Sequence, residues 1–167
     1  MKRFIAAGVL IGVSFAPVLA TEVPASAKHP PKSLSGALSG GTGYGPSSEC
    51  SFLHQDFLFA VARTKKASAA IAIDGCTYVD AGGNSVFPFT GHFIFFAGGG
   101  SLTGSVSGTT AHDLTTNVAV QLTLTVDSGT GPLLSKAGTM TISATWDASV
   151  APSPDPVTGT LTTALSG

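Results

Sequence analysis

The chain has 167 residues, enough for one domain, and its 8 Lys and Arg against 9 Asp and Glu leave a formal charge of −1. That balance excludes the strongly basic surface that nucleic-acid binding needs. Charged residues are only 10% of the chain while Gly alone contributes 21, a composition that favours short strands and tight turns over helices.

Residues 1–20 read as a secretory signal peptide. Lys2 and Arg3 form a positive start, Phe4 to Phe15 an apolar stretch, and Pro17-Val18-Leu19-Ala20 the small residues before a cut after Ala20. The apolar run is too short and too Gly-broken to span a membrane, which takes about 20 residues. No Cys follows it closely, which argues against an acylated start, and Gly, Asp or Thr interrupts every later apolar run. The expected product is therefore released outside the cytoplasm, extracellular or periplasmic, with no membrane span. Without Lys2 and Arg3, six basic residues face nine acidic ones.

Residues 21–48 are rich in Pro, Gly and Ser and read as a flexible leader, with at most one weak strand around Leu34 to Leu38. A single all-β domain is expected over residues 49–167. Cys50 and Cys76 are the only cysteines, and in an exported chain the expectation is one disulfide between them. Closing a loop of that length contributes about 3–4 kcal/mol in the chain-entropy description.

The stretch Phe52–Asp74 carries two signals. Phe57, Phe59 and Val61 alternate as in a strand, whereas Ala60, Ala62, Ala67, Ala69, Ala70 and Ala72 would also suit a helix. The favoured reading is a hairpin with Arg63–Lys66 at its tip. With Cys50 directly opposite Cys76, Phe57 would face Ala69 and the turn would centre on Arg63. Phe87, Phe89, Phe93 and Phe95 share one face of the next strand, with Gly91 leaving a gap among them. Leu102–Thr109 and Val157–Leu165 fit shorter strands. The cleanest alternation is Val118, Val120, Leu122, Leu124 and Val126 against Ala119, Gln121, Thr123, Thr125 and Asp127, and Met140, Ile142, Ala144 and Trp146 repeat it. Turns are expected at Gly82-Gly83-Asn84, Gly98–Gly100, Asp127–Gly131 and Ser149–Pro156.

Six to eight antiparallel strands with one apolar face each must bury that face. Closure into a barrel does so and removes exposed edges, with a two-sheet sandwich as the alternative. Phe89-Thr-Gly-His-Phe93, Gly100-Ser-Leu-Thr-Gly-Ser-Val-Ser-Gly108, Leu122-Thr-Leu-Thr-Val-Asp-Ser-Gly-Thr-Gly131, Gly138-Thr-Met-Thr-Ile-Ser143 and Gly159-Thr-Leu161 stand in the second half. Together they resemble the small secreted bacterial β-barrel proteins related in fold to plant dirigent proteins and allene oxide cyclases, mainly over residues 86–166. The resemblance implies an antiparallel barrel. It rests on turn and strand signatures, so no catalytic or substrate-guiding residue carries over. Pro132–Ala137 stands where that family usually places a basic-aromatic pair and a second Gly.

Chemistry-bearing residues are few. His54 and Asp56 fall on one strand face and could join His92 as a metal or acid–base group, although the spacing matches no ligand motif. The commoner role of such residues is a locally hydrogen-bonded surface group. His112-Asp113 reads as turn chemistry. No Gly-x-Ser-x-Gly elbow occurs, and the carboxylates Asp74, Asp80, Asp127 and Asp147 are scattered singly. No catalytic residue, metal or cofactor is expected. Phe87, Phe89, Gly91, Phe93, Phe95 and Trp146 are the candidate ligand pocket, against the plainer role of core. Arg63, Lys65 and Lys66 could meet an anionic cell-surface polymer, against the plainer role of a solvated hairpin tip. The functional expectation is a non-enzymatic binding or structural module. A barrel holding a small apolar ligand, or an isomerase or lyase acting on one, is the alternative.

Overall fold

The computed structural model describes residues 34–62, 68–78, 86–111, 117–147 and 154–167. Eight strands follow one another: β1 (Gly36–Gly45), β2 (Leu53–Ala62), β3 (Ser68–Thr77), β4 (Val86–Ala97), β5 (Gly100–Ala111), β6 (Asn117–Gly129), β7 (Ala137–Asp147) and β8 (Asp155–Ser166). Each runs antiparallel to the next, and β1 pairs with β8, so the sheet closes into a barrel. Closure pairs both sides of every strand and leaves no edge.

Alternation sets which side chains fill the interior. Phe57, Phe59 and Val61 from β2, Ile71 and Ile73 from β3, Phe89, Phe93 and Phe95 from β4, and Val120, Leu122 and Leu124 from β6 all point inward. With Met140 and Ile142 of β7 and Val157 and Leu161 of β8 they form one continuous apolar cluster. The three connections β2–β3, β4–β5 and β6–β7, with the start of β1 and the end of β8, lie at one mouth, the turn end; the other four connections lie at the loop end. At the turn end Gly98 and Gly99 adopt φ of 60° and 84°, the left-handed pair required by a two-residue hairpin between strands of ordinary twist. A 3₁₀ segment, Gly131–Leu133, follows β6 and tucks Leu133 into the same apolar cluster, while Leu134 faces water.

Three expectations change. The barrel begins with β1, inside the segment expected as leader: Leu34, Leu38 and Thr42 point inward, alternating along that face with Gly36 and Gly40, which hide the apolar pattern. The β2–β3 hairpin exists, and no helix forms there among the described residues, but its register differs. Phe57 faces Ile73, not Ala69, and the last pair is Ala62–Ser68. The reason is that Cys50 lies in the bend before β2, not on the ladder, so His54 occupies the position opposite Cys76. The offset is an even number of residues, so each side chain keeps its expected face. Finally, β6 runs through Asp127 and Ser128, moving its turn to residues 130–136.

The Cys50–Cys76 disulfide forms, with a Cα–Cα distance of 5.4 Å. Cys76 points outward on β3, so the bridge fastens the β1–β2 connection against the outside of the barrel near the loop end. Among the described residues no helix is long and apolar enough to cross a membrane. Residues 1–33, Arg63, Lys65, Lys66, Gly82-Gly83-Asn84 and His112-Asp113 lie outside the described residues.

Candidate functional site

The outer wall of a barrel in water should be polar, and over β5–β8 it is. Ser105 and Ser107, Thr123 and Thr125, Thr141 and Ser143, and Thr158 and Thr160 are exposed there. Over β2–β4 the outward positions change character. Leu58 is 65% exposed and Phe96 48%, and Ile94 is half-buried between them on β4.

The ladder register arranges this wall in rows. Gly41, Leu58, Ala72 and Ile94 pair in succession across β1–β4 and make an apolar row. Two residues nearer the turn end, Ser39, Ala60, Ala70 and Phe96 make another. Two residues nearer the loop end the row is Gly43, Asp56, Asp74 and His92. Small residues on β1 and β3 flank Leu58 of β2, with Ile94 on one side and Pro154 on the other. The result is a groove of about 1050 Å³ along the outside of the wall, lined mainly by apolar atoms. Pro154 leans over β1: its Cβ is 3.1 Å from where a side chain on Gly41 would begin.

The polar row holds the residues singled out from sequence. His54, Asp56 and His92 do share one region of the outer wall, and the residue that links them is Asp74 on the intervening strand. His54 Nε2 and Asp74 Oδ2 are 2.9 Å apart, with the Asp74 side chain 75% exposed. Asp56 stands directly opposite Asp74, a placement that costs free energy for two like charges. Among the described residues nothing pairs with the Asp56 carboxylate. Nor, among the described residues, do three His, Cys, Asp or Glu side chains converge as a metal site would require. The expected register, with Phe57 opposite Ala69, sets Asp74 against Phe52, so its place beside Asp56 emerges only from the observed ladder.

The aromatic residues proposed as a pocket are distributed differently. Phe89, Phe93 and Phe95 are core. Phe87 is half-buried and stacks on Phe52, with centroids 5.3 Å apart. The room beside Gly91 is filled by β3 itself, since a side chain there would begin 2.2 Å from the Asp74 carbonyl oxygen. Trp146 sits three strands away on β7, its ring against Tyr44 at 5.2 Å.

A second polar group lies inside the barrel at the loop end, where Thr42, Gln55, Thr77, Thr110 and Asp155 are buried. Much of it is internally satisfied. Trp146 Nε1 donates to Asp155 Oδ2 at 2.9 Å, Gln55 Nε2 to Thr42 Oγ1 at 3.2 Å, and Thr42 Oγ1 to the Asp56 carbonyl at 2.8 Å.

No family model matches this chain, and neither does any curated protein or solved structure.

Proposed function

We propose that the chain is exported and acts as a binding module whose ligand lies against the outer wall of β1–β4, with the filled interior serving as rigid support. The observation that carries this reading is the groove itself. An apolar concavity on the water-facing side of a closed barrel contributes nothing to the core, and contiguous exposed apolar surface of this kind usually marks an interaction site. The interior argues in the same direction, because its apolar side chains pack into one cluster.

The test uses Nile red, an uncharged dye that brightens in apolar surroundings. The parent protein is expected to bind it. A Leu58→Lys/Ile94→Lys double variant should keep its circular dichroism and lose the dye. Dye retained by that variant would move the site elsewhere. Export is tested separately by mass spectrometry of protein from the culture medium, with a disulfide-bonded chain beginning at Thr21 expected.

One observation favours a second reading, a small ligand taken at the loop end of the interior. The layer of Thr42, Gln55, Thr77, Thr110 and Asp155 is more polar than barrel packing requires. A ligand there would change the emission of Trp146, the only tryptophan in the chain, whereas one bound in the outer groove would leave it unchanged.

A further inference from the structure

We infer that the ligand of the outer groove is an amphiphilic cation, with an ammonium head between Asp56 and Asp74 and a hydrocarbon body lying over Leu58 and Ile94 toward Ala60 and Ala70. This rests on the outer-wall reading above and adds to it the chemistry of the ligand.

Two features of the groove differ along its length, and together they select such a molecule. At the loop end, Asp56 and Asp74 face each other across neighbouring strands, and only Asp74 has a described side-chain partner, His54. A cation set between them relieves the repulsion and finds two acceptors, whereas an anion meets both carboxylates and a neutral head gains neither. Beyond that row the lining turns apolar, first at Leu58 and Ile94 and then at Ala60 and Ala70. Two steps of two residues along a strand reach about 14 Å, the length over which a hydrocarbon body is accommodated. The volume of about 1050 Å³ lies near the upper end for small-molecule sites.

The fold also disfavours an extended peptide as occupant. Peptides bind sheets chiefly by adding a strand at a free edge, and this barrel has none. A peptide lying across the wall would lack those main-chain hydrogen bonds. The cation is held at an exposed site, so each ion pair adds little and selectivity is modest and salt-dependent.

The experiment follows amide shifts of the isotope-labelled full chain as octylammonium chloride, octanol or sodium octanoate is added at low salt. Octylammonium is expected to shift amides of β2–β4, to bind about 3- to 10-fold more tightly than octanol, and to lose that advantage in 0.5 M salt. Octanoate should bind more weakly than either. In Asp56→Asn/Asp74→Asn, whose positions are exposed and outside the core, octylammonium and octanol should bind alike. Equal binding of all three to the parent overturns the cation inference while the groove survives as an apolar site. No shift on β2–β4 with any of them, in a protein whose spectrum is folded, overturns the outer-wall reading together with the inference.

Discussion

Gly75 and Gly91 face each other across β3 and β4, so close that a side chain on either would occupy the other strand's backbone. A Cβ on Gly75 would lie 2.3 Å from the Thr90 carbonyl oxygen, and one on Gly91 2.2 Å from that of Asp74. Gly91→Ala is therefore expected to destabilise the barrel by about 1–3 kcal/mol or more, by forcing the β4 backbone away from Asp74 and Gly75 on β3. Gly45→Ala is the control: nothing lies within 4 Å of its Cβ, and the change should be neutral or stabilise by about 0.4–1 kcal/mol. Urea unfolding of the two variants beside the parent measures both.

Asp155 holds the Trp146 indole inside the loop end of the barrel, and this bond spans the start of β8 and the end of β7. Asp155→Ala removes the acceptor and leaves a buried N–H unpaired, at an expected cost of about 1–3 kcal/mol. Asp155→Asn keeps an oxygen in place and should recover part of that loss. Trp146 emission should change in the alanine variant and less in the asparagine one. An unfolding midpoint unchanged in Asp155→Ala would show that the bond carries no stability.

How far these features can be read from sequence depends on which face of a strand the evidence sits on. In β6 and β7 the inward face is apolar and the outward face is largely Thr and Ser, so strand and face follow from period two alone, while barrel and sandwich satisfy the same pattern. β1 fails that test because Gly36 and Gly40 stand at inward positions and leave only Leu34, Leu38 and Thr42 to show the period. The groove was partly legible. Phe93-Ile94-Phe95-Phe96 is apolar on both faces, which a strand with one side in water has no reason to be, and Leu58 breaks the polar face of β2 in the same way. Asp74 reads from sequence only as a lone carboxylate, because its neighbours are set by register, and the register depends on where Cys50 sits. The Leu133 contribution to the core was hidden in a short apolar pair between a Pro and a Ser.

The disulfide acts from outside the ladder, and this sets what its removal should do. Cys50 belongs to the β1–β2 connection, so the pairing of β2 with β3 continues from Leu53 to Ala62 without it. Cys50→Ala/Cys76→Ala is expected to lose up to about 3–4 kcal/mol of stability yet keep the barrel. Hydrogen exchange should quicken first in the β1–β2 connection and the nearby ends of β2 and β3, with β6 and β7 little changed. Uniform loss of protection around all eight strands would mean that the bridge is needed for closure itself.

Leu133 and Leu134 are adjacent in the chain and opposite in environment, 1% and 73% exposed. The 3₁₀ turn that separates them is shaped by Gly131, whose φ of 56° starts it, and by Pro132, which suits the first positions of such a turn. The turn sets the Leu133 side chain beside Gly100 of β5 and its carbonyl oxygen 2.2 Å from where a side chain on Gly129 would start. Leu133→Ala thus opens a void in the apolar cluster, at an expected cost of about 2–5 kcal/mol. Leu134→Ala removes only exposed surface and should fall within about 0.5 kcal/mol of the parent. Thermal or urea unfolding of the pair checks this directly. Equal effects of the two substitutions would mean that the segment after β6 does not hold Leu133 against the barrel in solution.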